Sequence, residues 1–282
     1  NRWMFAGTSG TQTITSGGFT VDWPLTFDGV GGTFALGDTL TVGSTRLTTL
    51  TNGTLNLAGF TYSTGTFATT TGTKNITFNA GTLKVTGSGA SAFNNLQPTN
   101  FTTTAGTGTG YISMSSATAK TFVGGGSTFN ATLSQSGAGA LTITGSNSFA
   151  DLTNTTQPVS VLFTAATTTT FTSGFSLAGT AGNLVTIGSV TAASHTLSKA
   201  SGTVSVSFCT ISQSTATGGA SWQALTSNGN VDGGNNTGWS FTSGAAVTGV
   251  SATGSVGTVT VTAKANVTPT GVSATGSVGT VT

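Results

Sequence analysis

Glutamate is absent from this chain, and five aspartates, five lysines and two arginines are the only formally charged side chains among 282 residues. Ordinary soluble domains are about a quarter charged, so hydroxyl and amide groups must cover the surface here. The shortage also removes most of the acids and bases that catalysis needs. A structural protein, not an enzyme, is the first expectation. The cations Arg2, Arg46, Lys74, Lys84, Lys120, Lys199 and Lys264 are scattered singly. They build no phosphate-tracking patch, which argues against a nucleic-acid partner. A single cysteine excludes an internal disulfide framework. No run approaches the roughly 20 apolar residues of a membrane helix, so membrane insertion is not expected. Glu, Gln, Lys and Met, the good helix formers, are scarce, and glycine interrupts every long window. Helices are therefore not expected.

What is present is β-forming. Threonine, serine, asparagine and 43 glycines are threaded with Val, Leu, Ile and 17 phenylalanines. Hydrophobic residues make up 35% of the chain, enough to build a core, so the low charge does not signal disorder. Short alternating runs recur, among them Asn75-Ile76-Thr77-Phe78, Thr82-Leu83-Lys84-Val85, Leu141-Thr142-Ile143-Thr144 and Thr203-Val204-Ser205-Val206. Each sets apolar side chains on one face and Thr, Ser or Asn on the other. Gly, Asn, Asp and Ser bound the runs, as turns require.

A sandwich and a solenoid both fit many short strands with glycine-rich corners. The solenoid is favoured because hairpin signals such as Asn52-Gly53 are few, and because the spacing suggests coils of about 20 to 25 residues. It also accounts for the missing charges. Stacked coils would set like charges about 4.8 Å apart, whereas stacked Thr or Asn can hydrogen-bond along the ladder. The expected fold is all-β: a parallel β-helix (β-solenoid) over residues 1–242, followed by a C-terminal tandem repeat segment over 243–282. In that segment the run Thr248 to Thr260 recurs letter for letter from Thr270 to Thr282, an offset of 22 residues. The second copy is cut short, which predicts that the natural protein continues past Thr282.

The stretch Leu177-Ala178-Gly179-Thr180-Ala181-Gly182-Asn183-Leu184-Val185-Thr186 leads on to the run from His195 to Val206. Asn230-Val231-Asp232-Gly233-Gly234-Asn235-Asn236-Thr237-Gly238-Trp239-Ser240-Phe241 follows, and then the Gly-Val-Ser-Ala-Thr-Gly-Ser-Val-Gly-Thr-Val-Thr repeats. Together these blocks resemble β-helical structural proteins of marine tailed bacteriophages and related environmental bacterial surface proteins. The resemblance spans roughly residues 20 to 282. It implies a virion appendage or fibre, located on the extracellular particle, commonly a homotrimer bound to other virion proteins, with no cofactor.

Each candidate site has a plainer structural reading. Asp22 and Asp28 flank Trp23, the pattern a glycan-contacting or glycan-cleaving solenoid would use, and a host-surface glycan is the partner this suggests. Asp28-Gly29 and Gly37-Asp38 also read as turn pairs, and turns are the preferred reading. His195 lacks a neighbouring nucleophile and acid, and is expected to face solvent or sit in a ladder. Cys209 reads as a small buried apolar residue. Asp232-Gly233-Gly234-Asn235-Asn236 supplies a single carboxylate, fewer than a calcium site wants, so it reads as a turn. That turn would place Trp239 and Phe241, with Trp222, as an aromatic cap at about residues 220–242, shielding the last apolar coil as terminal repeats require. The threonines 167–170 lack the fixed one-per-coil spacing of an ice-binding array.

The function expected from these readings is a structural fibre or appendage protein of a tailed phage, in contact with the host surface. A bacterial surface or secreted β-solenoid adhesin is one alternative. A polysaccharide depolymerase tailspike is the other.

Overall fold

Each alternating run becomes a short strand whose apolar residues turn inward, and successive strands stack in parallel as the backbone coils. The computed structural model describes residues 1–242, and over them the chain forms a β-solenoid of about 11 turns. Its ladders build a 14-stranded, a 10-stranded and a 3-stranded parallel sheet. The one helical element among the described residues is a single 3-10 turn at Thr226–Asn228. The 22-residue repeats lie outside the described residues.

Register shows the coil directly. Trp3 lies opposite Leu25, Leu25 opposite Thr48, and Thr48 opposite Phe67. The offset falls to 19 residues between Thr48 and Phe67 and rises to 29 between Phe93 and Phe122, a wider spread than the spacing suggested. Part of the long coil is the strand Phe101–Thr104, which pairs with Lys74–Thr77 and lengthens one side of the sheet. Extra residues thus go into the perimeter while the inward rows stay aligned.

Those rows form the core. Phe93 stacks on Phe67 at 5.5 Å and on Phe122 at 4.3 Å, and Phe129 stacks on Phe149 at 5.3 Å. On the facing sheet Tyr62, Leu83, Ile112, Leu133 and Leu152 align in register, all fully buried. Parallel stacking places like residues above one another, so ring faces meet at favourable offset-stacking distances.

Asn52-Gly53 does not make a hairpin. Both residues lie inside Leu47–Asn56, a strand that bends around a corner of the coil, as does the 12-residue strand Leu25–Leu36 beside it. Gly53 has φ 89°, and a Cβ there would sit 2.5 Å from the Gly29 oxygen. Gly29 and Gly32 in turn press against the Gly7 carbonyl. Stacked glycines let three coils bend at one place, which is how an Asn-Gly pair serves a parallel fold.

Candidate functional site

The first coil is covered from one side only, with Phe5, Ile14 and Val21 partly buried against the core. Trp3–Phe5, Thr11–Ile14 and Thr20–Val21 each pair on one side only, with the next coil. Trp3, Phe5, Ile14, Phe19, Val21 and Trp23 line a groove of about 730 Å³ at this end. Phe19 is 78% and Trp23 45% exposed. Asp22 borders the groove and is held by Arg46, whose Nε and Nη2 donate to its two carboxylate oxygens at 2.8 and 3.1 Å. Hydrogen bonding from the guanidinium, and then its charge, lowers the Asp22 pKa below the usual carboxylate value.

Asp28 is not part of this groove. Its Oδ1 accepts from Asn52 Nδ2 at 2.7 Å, beside the glycine corner. The chain therefore brings Asp22 and Trp23 to one surface and directs Asp28 into a ladder contact. Asp38 anchors the first turn by accepting from the Ser16 and Gly17 amides at 2.8 and 2.7 Å. Those amides, Ser16 first, lower its pKa.

At the other end, Trp222 lies opposite Trp239 in the 3-stranded sheet. Their rings meet edge-on at 5.0 Å, and Phe175 packs edge-on against them at 5.7 and 6.3 Å. Trp222 is buried, and its indole donates to the Thr217 carbonyl at 2.9 Å; the Trp239 indole donates to Ser214 Oγ at 3.0 Å. Phe241 is partly buried against the same core. Asp232 Oδ1 accepts from the Gly234 amide and from Asn236 Nδ2, at 2.9 and 2.7 Å, so this carboxylate oxygen is spent on shaping its own loop. Among the described residues no three His, Cys, Asp or Glu side chains cluster as metal ligands would.

Of the two positions expected for His195 the structure shows the ladder one, opposite Ser214, with the side chain fully buried and not facing solvent. The reason is phase: in the strand His195–Lys199 it points the same way as Leu197. The ring stacks on Phe163 at 4.7 Å, Nδ1 lies 2.9 Å from Ser189 Oγ, and Nε2 has no partner. Burial pushes its pKa down to about 4, leaving a neutral imidazole. Cys209 is buried, and its thiol is pushed up to about 12 by the same desolvation, the opposite of a reactive thiolate. Within Thr168–Phe171 the Thr169 side chain turns inward, so the threonine run is not an outward array.

Two buried lysines were not singled out by the sequence reading. Lys74 Nζ donates to the Gly72 and Thr99 carbonyls at 2.8 and 2.9 Å. Lys120 Nζ donates to the Ser116 and Gly139 carbonyls at 3.0 and 2.6 Å. Burial lowers both pKa values, that of Lys120 to about 8. Each ammonium ties down a corner from inside, satisfied by carbonyl oxygens instead of a carboxylate. Their signal was in the alternation, since Lys74 is in phase with Ile76 and Lys120 with Phe122.

Comparison with protein-family models, curated proteins and solved structures finds no match to this chain. The class that this fold defines is a parallel β-solenoid.

Proposed function

We propose that this chain is a structural, non-catalytic subunit of an extracellular appendage, a fibre protein of a tailed-phage particle that also touches the host surface. The observation that carries the reading is the pairing of a continuous parallel ladder with an almost uncharged surface. A ladder of this kind gives a stiff body, and hydroxyl-covered sides let copies crowd together without repulsion. The open first coil, with unpaired strand edges and exposed aromatics, is the sort of surface that assembly covers. A homotrimer joined to other virion proteins is the form proposed.

A bacterial adhesin would share this physics. A depolymerase is less well supported, because Asp28 is spent on Asn52 while Asp22 is spent on Arg46.

Sedimentation of the full chain tests the assembly and peptide mapping of purified particles tests the location. The expected results are a species of three times the 27.5 kDa chain mass and peptides of this chain in the particle. A monomer at micromolar concentration, or particles free of the chain, would remove the proposal.

A further inference from the structure

The outer face of the 10-stranded sheet carries an irregularity that alternation alone does not produce. Along Tyr111–Met114, Thr128–Gln135 and Ser148–Asn154 two outward rows run across the coils. One is Tyr111, Thr132, Asp151; the other is Ser113, Ser134, Thr153. Outward residues on an open sheet are normally exposed, yet Thr132 is 4% and Ser134 5% exposed. The middle strand is therefore recessed: Thr132 lies between the larger Tyr111 and Asp151, and Ser134 between Ser113 and Thr153. Two hollows of about 450 and 310 Å³ lie over successive positions of these rows. The first holds Tyr111, Ser113, Ser134, Thr153 and Asn154; the second holds Asn130, Thr132, Asp151 and Ser173.

The chemistry of this furrow selects its ligand. It offers hydroxyls, one exposed aromatic ring, one carboxylate and the amide oxygens of Asn130 and Asn154, whose Nδ2 groups already donate to backbone carbonyls. Neither hollow is lined by Lys or Arg. A phosphate, a sulfate or a nucleic acid would need cations there. A peptide strand would need a free sheet edge, and all three strands are paired on both sides. A sugar needs an aromatic face and dense polar partners. Asp151 accepts from the Leu152 amide at 2.7 Å and from Ser176 Oγ at 3.0 Å, one bond to each oxygen. A carboxylate has about four lone-pair sites, so acceptor capacity remains.

We propose that the furrow binds a neutral oligosaccharide laid across the three strands, with Tyr111 stacked on a sugar face and Asp151 accepting from sugar hydroxyls. This deepens the host-contact part of the reading above and rests on it for its biological setting. The binding itself is tested on the purified full chain, so it can fail while the particle assignment stands, and the reverse.

The probe is an array of neutral hexasaccharides of glucose, galactose, mannose and N-acetylglucosamine, printed beside sialylated and sulfated glycans. At least one neutral glycan should be retained. Tyr111→Ala and Asp151→Asn should each weaken that binding about tenfold, the scale of one lost stacking or charged hydrogen-bond contact. Tyr111→Trp should keep it, and Trp23→Ala at the distant end groove should leave it unchanged. Melting curves matching the unmodified chain confirm that the variants fold. Retention of no neutral glycan would overturn the proposal, as would binding confined to charged glycans, or binding insensitive to Tyr111 and Asp151.

Discussion

Acid should weaken this solenoid through His195. Its ring is enclosed by Phe163 and Ser189, and Nε2 faces no acceptor. The unfolded imidazole takes up a proton below about 6.5, whereas the folded one refuses it until about 4. Between those values the unfolded state binds more protons, so stability falls as the pH falls through the window and is intact above it. At about 1.4 kcal/mol per pH unit, the whole window is worth about 3 kcal/mol. For a body of this size that corresponds to about 6–12 °C in Tm. Asp151, whose pKa burial raises, also takes up a proton as the pH falls, so the comparison must be between variants. His195→Gln keeps a polar side chain able to accept from Ser189 but cannot titrate. Thermal scans of both proteins at pH 7.5 and pH 4 should show the unmodified chain losing about 6–12 °C more than His195→Gln. Equal losses in the two proteins would refute the reasoning.

Lys120 predicts the complementary effect in base. Its folded pKa of about 8 lies below the unfolded 10.5, so stability should rise as the pH climbs from about 8 to 10.5, and Lys120→Met should flatten that rise in the same scans. Phe122→Ala removes a fully buried ring stacked at 4.3 Å on Phe93, and urea titration should show a loss of about 3–5 kcal/mol. Gly53→Ala places a Cβ against the Gly29 oxygen at φ 89° and should cost about 1–3 kcal/mol by the same titration, whereas Gly234→Ala, which meets nothing nearby, should cost less.

The fold could be read from the sequence because inward and outward positions alternate with little ambiguity in runs such as Leu141–Thr144. Scarce charge and few hairpin signals then favoured parallel coils. Reading failed where one residue type has two uses. Asn52-Gly53 is a hairpin signal in antiparallel sheets and a bend in stacked ones; only the neighbouring coils, Gly29 and Gly32 among them, decide which. Lys74, Lys120 and His195 stand in phase with Ile76, Phe122 and Leu197, but polarity and phase point opposite ways at such positions, and only the packed coils decide between them. For Asp28 the turn reading missed its partner, because Asn52 is 24 residues away and meets it only through the coil. The furrow at Tyr111 and Asp151 was invisible for a similar reason. The recess of Ser134 depends on side chains from the coils before and after it, and their register follows from coil lengths that vary irregularly.

The stacking of coils is most directly tested by distance between two spin labels on the outward row of the 10-stranded sheet. Thr41 is linked to Thr153 through Ser63, Lys84, Ser113 and Ser134, five ladder steps in register. Labels on Thr41→Cys and Thr153→Cys, with buried Cys209 left unreactive, should lie about 24 Å apart at about 4.8 Å per step. Labels on Ser63→Cys and Thr153→Cys should lie about one step closer. A separation that does not shorten with the number of intervening coils would contradict the solenoid and everything inferred from it.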